Sequence, residues 1–408
     1  MAQEDGGLRS EQEKGKAFRD QATSERKKAM KELAFFQDVI QKSSNDFVRQ
    51  WKDRGGKVIG YLCPNVPEEM ILAAGMLPYR LRAPESRDTT EADRYTTYLN
   101  CTYCRHLVDE ALRGRYDFLD GFVGTNGCDQ MRRVSDIFRA VAYKEAAEQK
   151  KFFLEYVAAP RVPFDERSLS YYKAELARLK KNLEAHFGVA ISGDKLREAI
   201  RLSNESRRLL RDLYELRKAE KPPVSGAEAL SITVASTALP KEVFNQSLKA
   251  LLSALDGRVA VPQYRKRLFL YGSELDDPQW VKVVEDQGGL VVADGICFGA
   301  RLFWDLVDES LEPMEAIAIR YHERWSCPRM VDQGRRKQRI QEIVRDWKAD
   351  GIIGERIIMC QLWGGERVMT SLDAKESGIP TLWVEREYLL GGTGQLKTRV
   401  QAFLESME

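Results

Sequence analysis

Short apolar, β-branched runs alternate along this chain with amphipathic stretches, and four of the runs end in the same way. Val58–Leu62 stops at Cys63-Pro64, and a helical pattern follows from Glu68. Phe118–Val123 leads to Gly127-Cys128-Asp129 and a helix. Leu290–Ala293 leads to Asp294-Gly-Ile-Cys297-Phe-Gly299 and a helix, and Ile352–Met359 leads to Cys360 and a helix. Short apolar runs bounded by turn residues read as strands, and apolar positions three and four apart read as helices. In open parallel sheets, ligands bind in the crevice beyond the carboxyl ends of the strands. Four cysteines therefore stand where an α/β protein binds things.

The remaining pattern fills in this plan. Strands are expected at Val58–Leu62, Tyr79–Arg82, Phe118–Val123 and Phe152–Ala158, with helices at Glu68–Ala74, Cys104–Leu112 and Met131–Ala142. A second set has strands at Leu268–Tyr271, Leu290–Ala293, Ile352–Met359 and Thr381–Val384. Its helices are Trp280–Asp286, Ala300–Leu306, Lys337–Trp347, Arg367–Lys375 and Leu396–Leu404. Such alternation predicts two parallel sheets. Between them, helical stripes such as Tyr171, Leu176, Leu179, Leu183 and Phe187 carry no convincing strand and predict a helical insertion. Residues 1–20 are polar and expected to lack order. Ser24–Trp51 reads as one amphipathic helix through Met30, Leu33, Phe36, Val39, Ile40 and Phe47. The expected divisions are 1–50 (tail and helix), 51–165 (first α/β domain), 166–258 (helical insertion) and 259–408 (second α/β domain).

Composition narrows the class. A chain of 408 residues exceeds one average domain. Net charge is only +2, so no strong field argues for nucleic acid or an anionic membrane. No apolar run approaches the roughly 18 residues of a membrane helix, and the polar, charged N-terminus does not read as a secretory signal. The expectation is a soluble cytoplasmic protein. Seven cysteines, an odd number in a large chain, argue against disulfide staples. Only three histidines, His106, His186 and His322, disfavour mixed Cys/His zinc sites.

Six cysteines occupy loop-like contexts: Cys63, Cys101, Cys128, Cys297, Cys327 and Cys360. Cys101 and Cys104 form a CxxC at a helix start, where the dipole favours thiolate. A lone free cysteine is as often a small buried hydrophobe, but that reading has difficulty covering four strand ends at once. A zinc ribbon requires paired CxxC motifs, and only one exists. Iron–sulfur clusters accept thiolates from separate segments, and six thiolates could hold two four-iron cubanes. Gly391-Gly-Thr-Gly394-Gln395 lacks the Walker lysine and reads as a tight βα turn, and Arg335–Arg339 reads as a solvated helix face.

From about Phe47 onward the chain resembles the 2-hydroxyacyl-CoA dehydratase and benzoyl-CoA reductase subunit superfamily. The resemblance rests on Ile59-Gly-Tyr-Leu-Cys-Pro-Asn-Val-Pro-Glu-Glu69, Ala73-Ala-Gly-Met-Leu-Pro78, Cys101 with Arg105, Cys128-Asp129 and Gly394-Gln-Leu-Lys-Thr-Arg399. It implies two Rossmann-like (flavodoxin-like) domains, oxygen-sensitive iron–sulfur clusters, and a separate ATP-hydrolysing iron–sulfur activator that injects low-potential electrons. Dehydratase subunits of this superfamily hold one 4Fe-4S cubane through three cysteines, matching Cys63, Cys101 and Cys360 here. The further Cys128, Cys297 and Cys327 resemble the double-cubane (8Fe-9S) cluster proteins of the same superfamily, which form homodimers. Whether Cys101 or Cys104 ligates is open.

The expected function is a double-cubane reductase of anaerobic metabolism, fed by the activator and acting on a small substrate. One alternative is a single-cubane subunit of a radical 2-hydroxyacyl-CoA dehydratase or benzoyl-CoA reductase. A second is a non-enzymatic electron carrier. No Walker motif is present, so ATP hydrolysis is assigned to the partner.

Overall fold

A computed structural model describes residues 27–408. Helix α1 spans 27–39 and is followed by α2 (Asp46–Asp53). The first α/β half then runs β1 (Val58–Tyr61), α3 (Glu68–Ala73), β2 (Leu77–Arg80), α4 (Thr102–Leu112), β3 (Gly121–Thr125), α5 (Asp129–Ile137), α6 (Lys144–Glu148) and β4 (Phe153–Val157). Four helices follow: α7 (Glu166–Phe187), α8 (Gly193–Leu216), α9 (Gly226–Ala235) and α10 (Lys241–Leu252). The second half runs β5 (Lys266–Gly272), α11 (Pro278–Glu285), β6 (Gly289–Gly295), α12 (Ala300–Phe303), α13 (Pro313–Glu323), α14 (Gln333–Asp346), β7 (Gly351–Ile357), α15 (Gln361–Glu376), β8 (Thr381–Arg386) and α16 (Thr393–Glu405).

The strands form two four-stranded sheets, ordered β2-β1-β3-β4 and β6-β5-β7-β8, and every pairing is parallel. Both are doubly wound, Rossmann-like sheets, and all eight expected strands are present. The strands are apolar on both faces because helices cover both: every residue of β1, β2, β3 and β6 is buried. In each sheet the chain reverses direction of winding at one place, between β1 and β3 and between β5 and β7. These are the switch points, where crossover helices leave to opposite faces and a crevice opens.

Helices α7–α10 clad the sheets. Tyr172, Leu176, Leu179 and Leu183 of α7 join Ile59, Val123 and Phe153 in one core, to which α13 adds Ala316 and Ile317. The two halves are thus packed through shared helices.

The local differences from expectation have identifiable causes. The expected helix Ser24–Trp51 breaks at 40–45, where Asn45 caps α2 by accepting from the Val48 amide (3.0 Å) and donates to the Ala238 carbonyl (2.9 Å). Its first residues, like the polar segment 1–20, lie outside the described residues. Met30, placed on the apolar stripe, is exposed. Helix α15 starts at Gln361, six residues before the expected Arg367, because Cys360 itself is the N-cap. Helix α13 is not among the expected elements, although Pro313 at its first position and the Glu312 cap are start signals.

Candidate iron–sulfur site

The cysteines meet where the carboxyl ends of the two sheets face each other. Cys63 follows β1 and Cys128 follows β3, so the first switch point is flanked by two thiols. Cys360 follows β7 and Glu274 follows β5 at the second switch point, and Cys297 follows β6. Cys101 is the N-cap of α4, with Cys104 in its first turn. Cys327 lies in the loop between α13 and α14. All seven are free thiols, with Cys63, Cys101 and Cys104 buried and the other four partly exposed.

Local structure aims these side chains. The Cys128 sulfur caps α5 by accepting from the Met131 amide (3.4 Å). Gly127 lets the β3 loop close on the β1 loop: a Cβ there would stand 2.8 Å from Cys63 Sγ. Met359 adopts a left-handed conformation (φ 65) immediately before Cys360, a strained backbone of the kind that collects at functional sites.

The segment carrying Cys327 belongs to the second half but is stitched to the first. The Arg324 guanidinium donates to the Pro64 carbonyl, next to Cys63. Arg329 donates to the carbonyls of Asn126 (2.6 Å), Pro160 (2.7 Å) and Ala159. Arg336 bonds the carbonyls of Cys327 (3.2 Å) and Met330 (2.8 Å) and pairs with Glu366. Arg336 is buried, which corrects the reading of Arg335–Arg339 as a wholly solvated face.

Two thiol neighbourhoods emerge. Burial pushes Cys63 up to about 11, and Cys327 beside it adds to the rise. Burial also raises Cys297, opposed by Arg301 and reinforced by Glu274 and Cys327. These three are linked through Cys327 and form one group, with Cys63 also standing against Gly127 and acting on Cys128. In the other, burial pushes Cys360 up to about 12, with Cys101 the next cause. Cys128 is raised by burial and then by Cys101, with smaller effects from Cys360 and Cys63. Hydrogen bonding with Cys104 holds the Cys101 thiol below the usual range, and the same bond pushes Cys104 up. Cys104 faces the same group as Cys101, near Cys128 and Cys360.

Among the described residues no three His, Cys, Asp or Glu side chains converge tightly enough to hold a single ion. Thiols spread over several loops suit a multi-iron cluster, whose ligands bind different irons. The surrounding charge fits such a group. Arg80 and Arg336 near the thiols are neutralised by Glu274 and Glu366. Arg301, Arg324 and Arg329 are buried and have no carboxylate in ion-pair reach among the described residues. Uncompensated buried charge costs several kcal/mol. The Asn65 Nδ2, Trp325 Nε1, and Arg301 Nε and Nη1 donors are also buried without an acceptor there. Surplus positive charge and unused donors around thiols call for an anionic, acceptor-rich occupant, which a thiolate-bound iron–sulfur cluster is.

The histidines are engaged elsewhere. His106 Nδ1 bonds Ser86 (2.7 Å), His322 Nε2 bonds Val162 (2.9 Å), and His186 packs on Phe153. Arg105, four residues after Cys101, pairs with Asp93 at the surface. The Gly391–Gly392 turn caps α16 with Gly392 in the left-handed region (φ 59) and walls a cavity of about 340 Å³ with Trp280, Tyr388 and Arg399. The sequence pattern does not single out Arg80, Glu274, Arg301, Arg324 or Arg329. Only Arg301 carries a usable signal, its i+4 spacing from Cys297.

The family model described as 2-hydroxyglutaryl-CoA dehydratase, D-component, matches residues 63–407. The (R)-phenyllactyl-CoA dehydratase beta subunit of Clostridium sporogenes is 25% identical over 373 residues, covering 91% of this chain and 97% of its own. A benzoyl-CoA reductase subunit of Thauera aromatica is 28% identical over 368 residues, covering 88% and 94%. The (R)-2-hydroxyglutaryl-CoA dehydratase subunit beta of Acidaminococcus fermentans is 24% identical over 378 residues, covering 90% and 97%.

Proposed function

The chain belongs to the family of the 2-hydroxyglutaryl-CoA dehydratase D-component, and from that premise we propose that it is an iron–sulfur reductase holding two four-iron clusters. It receives low-potential electrons from a separate ATP-hydrolysing iron–sulfur activator and passes them to a small substrate, working as a homodimer. The observation that carries this reading is the pair of thiol neighbourhoods, each built from both halves of the chain.

Cys63, Cys297 and Cys327 hold one cluster. Cys128, Cys360 and one of Cys101 and Cys104 hold the other. This grouping exchanges Cys63 and Cys128 relative to the triad Cys63, Cys101 and Cys360 implied by family resemblance and the three cysteines left over from it. Such clusters supply one-electron transfer at low potential. The chain's own residues hold the thiols in place, exclude water and set the electrostatic field. Arg80 and Glu274 lock the strand ends together, and the buried Trp325 and Trp363 lie two and three residues along the chain from Cys327 and Cys360.

A second reading is a single-cubane beta-type subunit of a two-component dehydratase, and the names of the relatives favour it. Anaerobic purification with iron and acid-labile sulfide quantification separates the two. About eight irons per chain support two clusters. A reproducible value of about four moves the assignment to the dehydratase type, and zinc in place of iron sinks both. Turnover of a substrate with activator, ATP and reductant distinguishes an enzyme from an electron carrier.

A further inference from the structure

Positive charge is distributed unequally between the two thiol groups. Arg301 is 1% exposed. Its Nη2 donates to Cys297 Sγ at 2.8 Å and to the Gly272 carbonyl at 2.8 Å, while Nε and Nη1 have no acceptor among the described residues. The guanidinium stacks over Trp363, 4.7 Å from the ring centroid. Glu274, the carboxylate near Cys297, is already committed to Arg80 at 2.7 Å. Arg324 is anchored on Pro64 beside Cys63, and Arg329 acts on both Cys327 and Cys63.

These three guanidiniums border Cys63, Cys297 and Cys327, and Arg329 also reaches the Asn126 carbonyl, two residues before Cys128. Among the described residues no guanidinium is hydrogen-bonded to a sulfur of Cys101, Cys104, Cys128 or Cys360, whereas Arg301 is bonded to the sulfur of Cys297. A guanidinium is always charged, and buried charges are little screened by salt. Cluster reduction potentials depend on nearby charge and on hydrogen bonds to sulfur. A positive charge beside a cluster favours the added electron and raises its potential.

We propose that Arg301, with Arg324 and Arg329, makes the cluster held by Cys63, Cys297 and Cys327 the first to be reduced, so that electrons come to rest there. The proposal rests on the two-cluster reading above. The step is electron transfer alone: one electron arrives from an external one-electron reductant, and no bond forms or breaks. The arginines are positioning residues that act through the field they impose.

The test is an anaerobic titration of the full, iron-loaded chain with titanium(III) citrate, each Ti(III) giving one electron to become Ti(IV), followed by electron paramagnetic resonance. The wild type should show two reduction steps. Arg301→Gln should move the less negative step to a more negative potential and leave the other in place. Arg301→Lys, which keeps the charge, should restore most of the shift, and Arg324→Gln should move the same step in the same direction. Charge-removing variants that load iron fully but leave the less negative step unchanged, or move the other step instead, overturn the proposal. If no charge-removing variant loads iron, the arginines are structural and the proposal falls. The two-cluster reading fails separately if the wild type binds no iron, or if it keeps an unchanged content of about four irons in Cys297→Ala.

Discussion

Arg80, the last residue of β2, donates from Nη2 to Glu274 Oε2, just beyond β5, at 2.7 Å. One ion pair thereby joins the carboxyl ends of the two sheets. The same guanidinium bonds the Leu62 carbonyl (2.9 Å) and the Cys297 carbonyl (2.6 Å), and lies 3.6 Å over the Phe298 ring. Arg80 therefore registers the Cys63 loop against the Cys297 loop.

Breaking a buried pair on one side strands a charge and costs about 3–5 kcal/mol, whereas replacing both partners costs less. Arg80→Met and Glu274→Leu should each lower the melting temperature sharply, and the double variant should recover part of the loss. Additive melting losses in that cycle would show that the pair does not couple the sheets.

The thiol grouping predicts which cysteines fail together. Cys63→Ala, Cys297→Ala and Cys327→Ala should remove the same spectral component, and Cys128→Ala and Cys360→Ala the other. Iron content should fall in all five and hold in Cys104→Ala if Cys101 is the ligand of that pair. Loss of a ligand should also loosen the contact between the halves, because the thiols come from both. If Cys63→Ala instead matches Cys360→Ala, the triad Cys63, Cys101 and Cys360 implied by family resemblance stands.

Gly127 is set by close approach. Its Ala variant would place a methyl 2.8 Å from Cys63 Sγ and 3.0 Å from Met131 Sδ, and overpacking of this kind costs about 1–3 kcal/mol. Lower thermal stability and lower iron content are expected together. Gly365→Ala, on α15 with nothing within 4 Å, is the control, and should gain about 0.5–1 kcal/mol. Calorimetry of the two variants measures both signs.

Glu285 introduces a pH dependence away from the thiols. Burial raises its carboxyl to about 7, although it accepts from the amides of Gly226 (2.7 Å) and Ala227 (3.2 Å). A carboxyl raised on folding stabilises fully below its unfolded value, and that contribution is lost as pH rises through the folded value. Between pH 4.5 and about 7 the loss is on the order of 3 kcal/mol. Glu285→Gln keeps an acceptor that does not ionise, so its melting temperature should vary less with pH across that window than the wild type's. Parallel profiles would refute the assignment.

The absence of a Walker motif predicts that the isolated, homogeneous chain does not hydrolyse ATP, and that turnover requires the activator. A phosphate-release assay on the chain alone checks this, and robust activity would contradict it.

What could be read from the sequence follows the range of the interactions involved. The eight strands and most helices are legible because burial on both faces, helical periodicity and cysteines that follow strand ends are properties of neighbours along the chain. Cys63, Cys128, Cys297 and Cys360 can be placed at strand ends for the same reason. Cys101 and Cys104 are close in sequence and close in space, so their pairing is legible too, but not which of them would be a ligand.

Tertiary structure alone decided the rest. Whether Cys63 neighbours Cys327 or Cys360 depends on strand order and on how Arg324 and Arg329 draw a distant loop onto β1 and β3. Arg336, in a run that reads as solvated, is buried because Glu366 on another helix meets it. Arg80 and Glu274 lie 194 residues apart in the chain. Local pattern determines that a segment is a strand and that it ends in a thiol. The packing of two sheets, carboxyl end to carboxyl end, determines which thiols meet and which charges surround them, because those contacts form only after each sheet has folded.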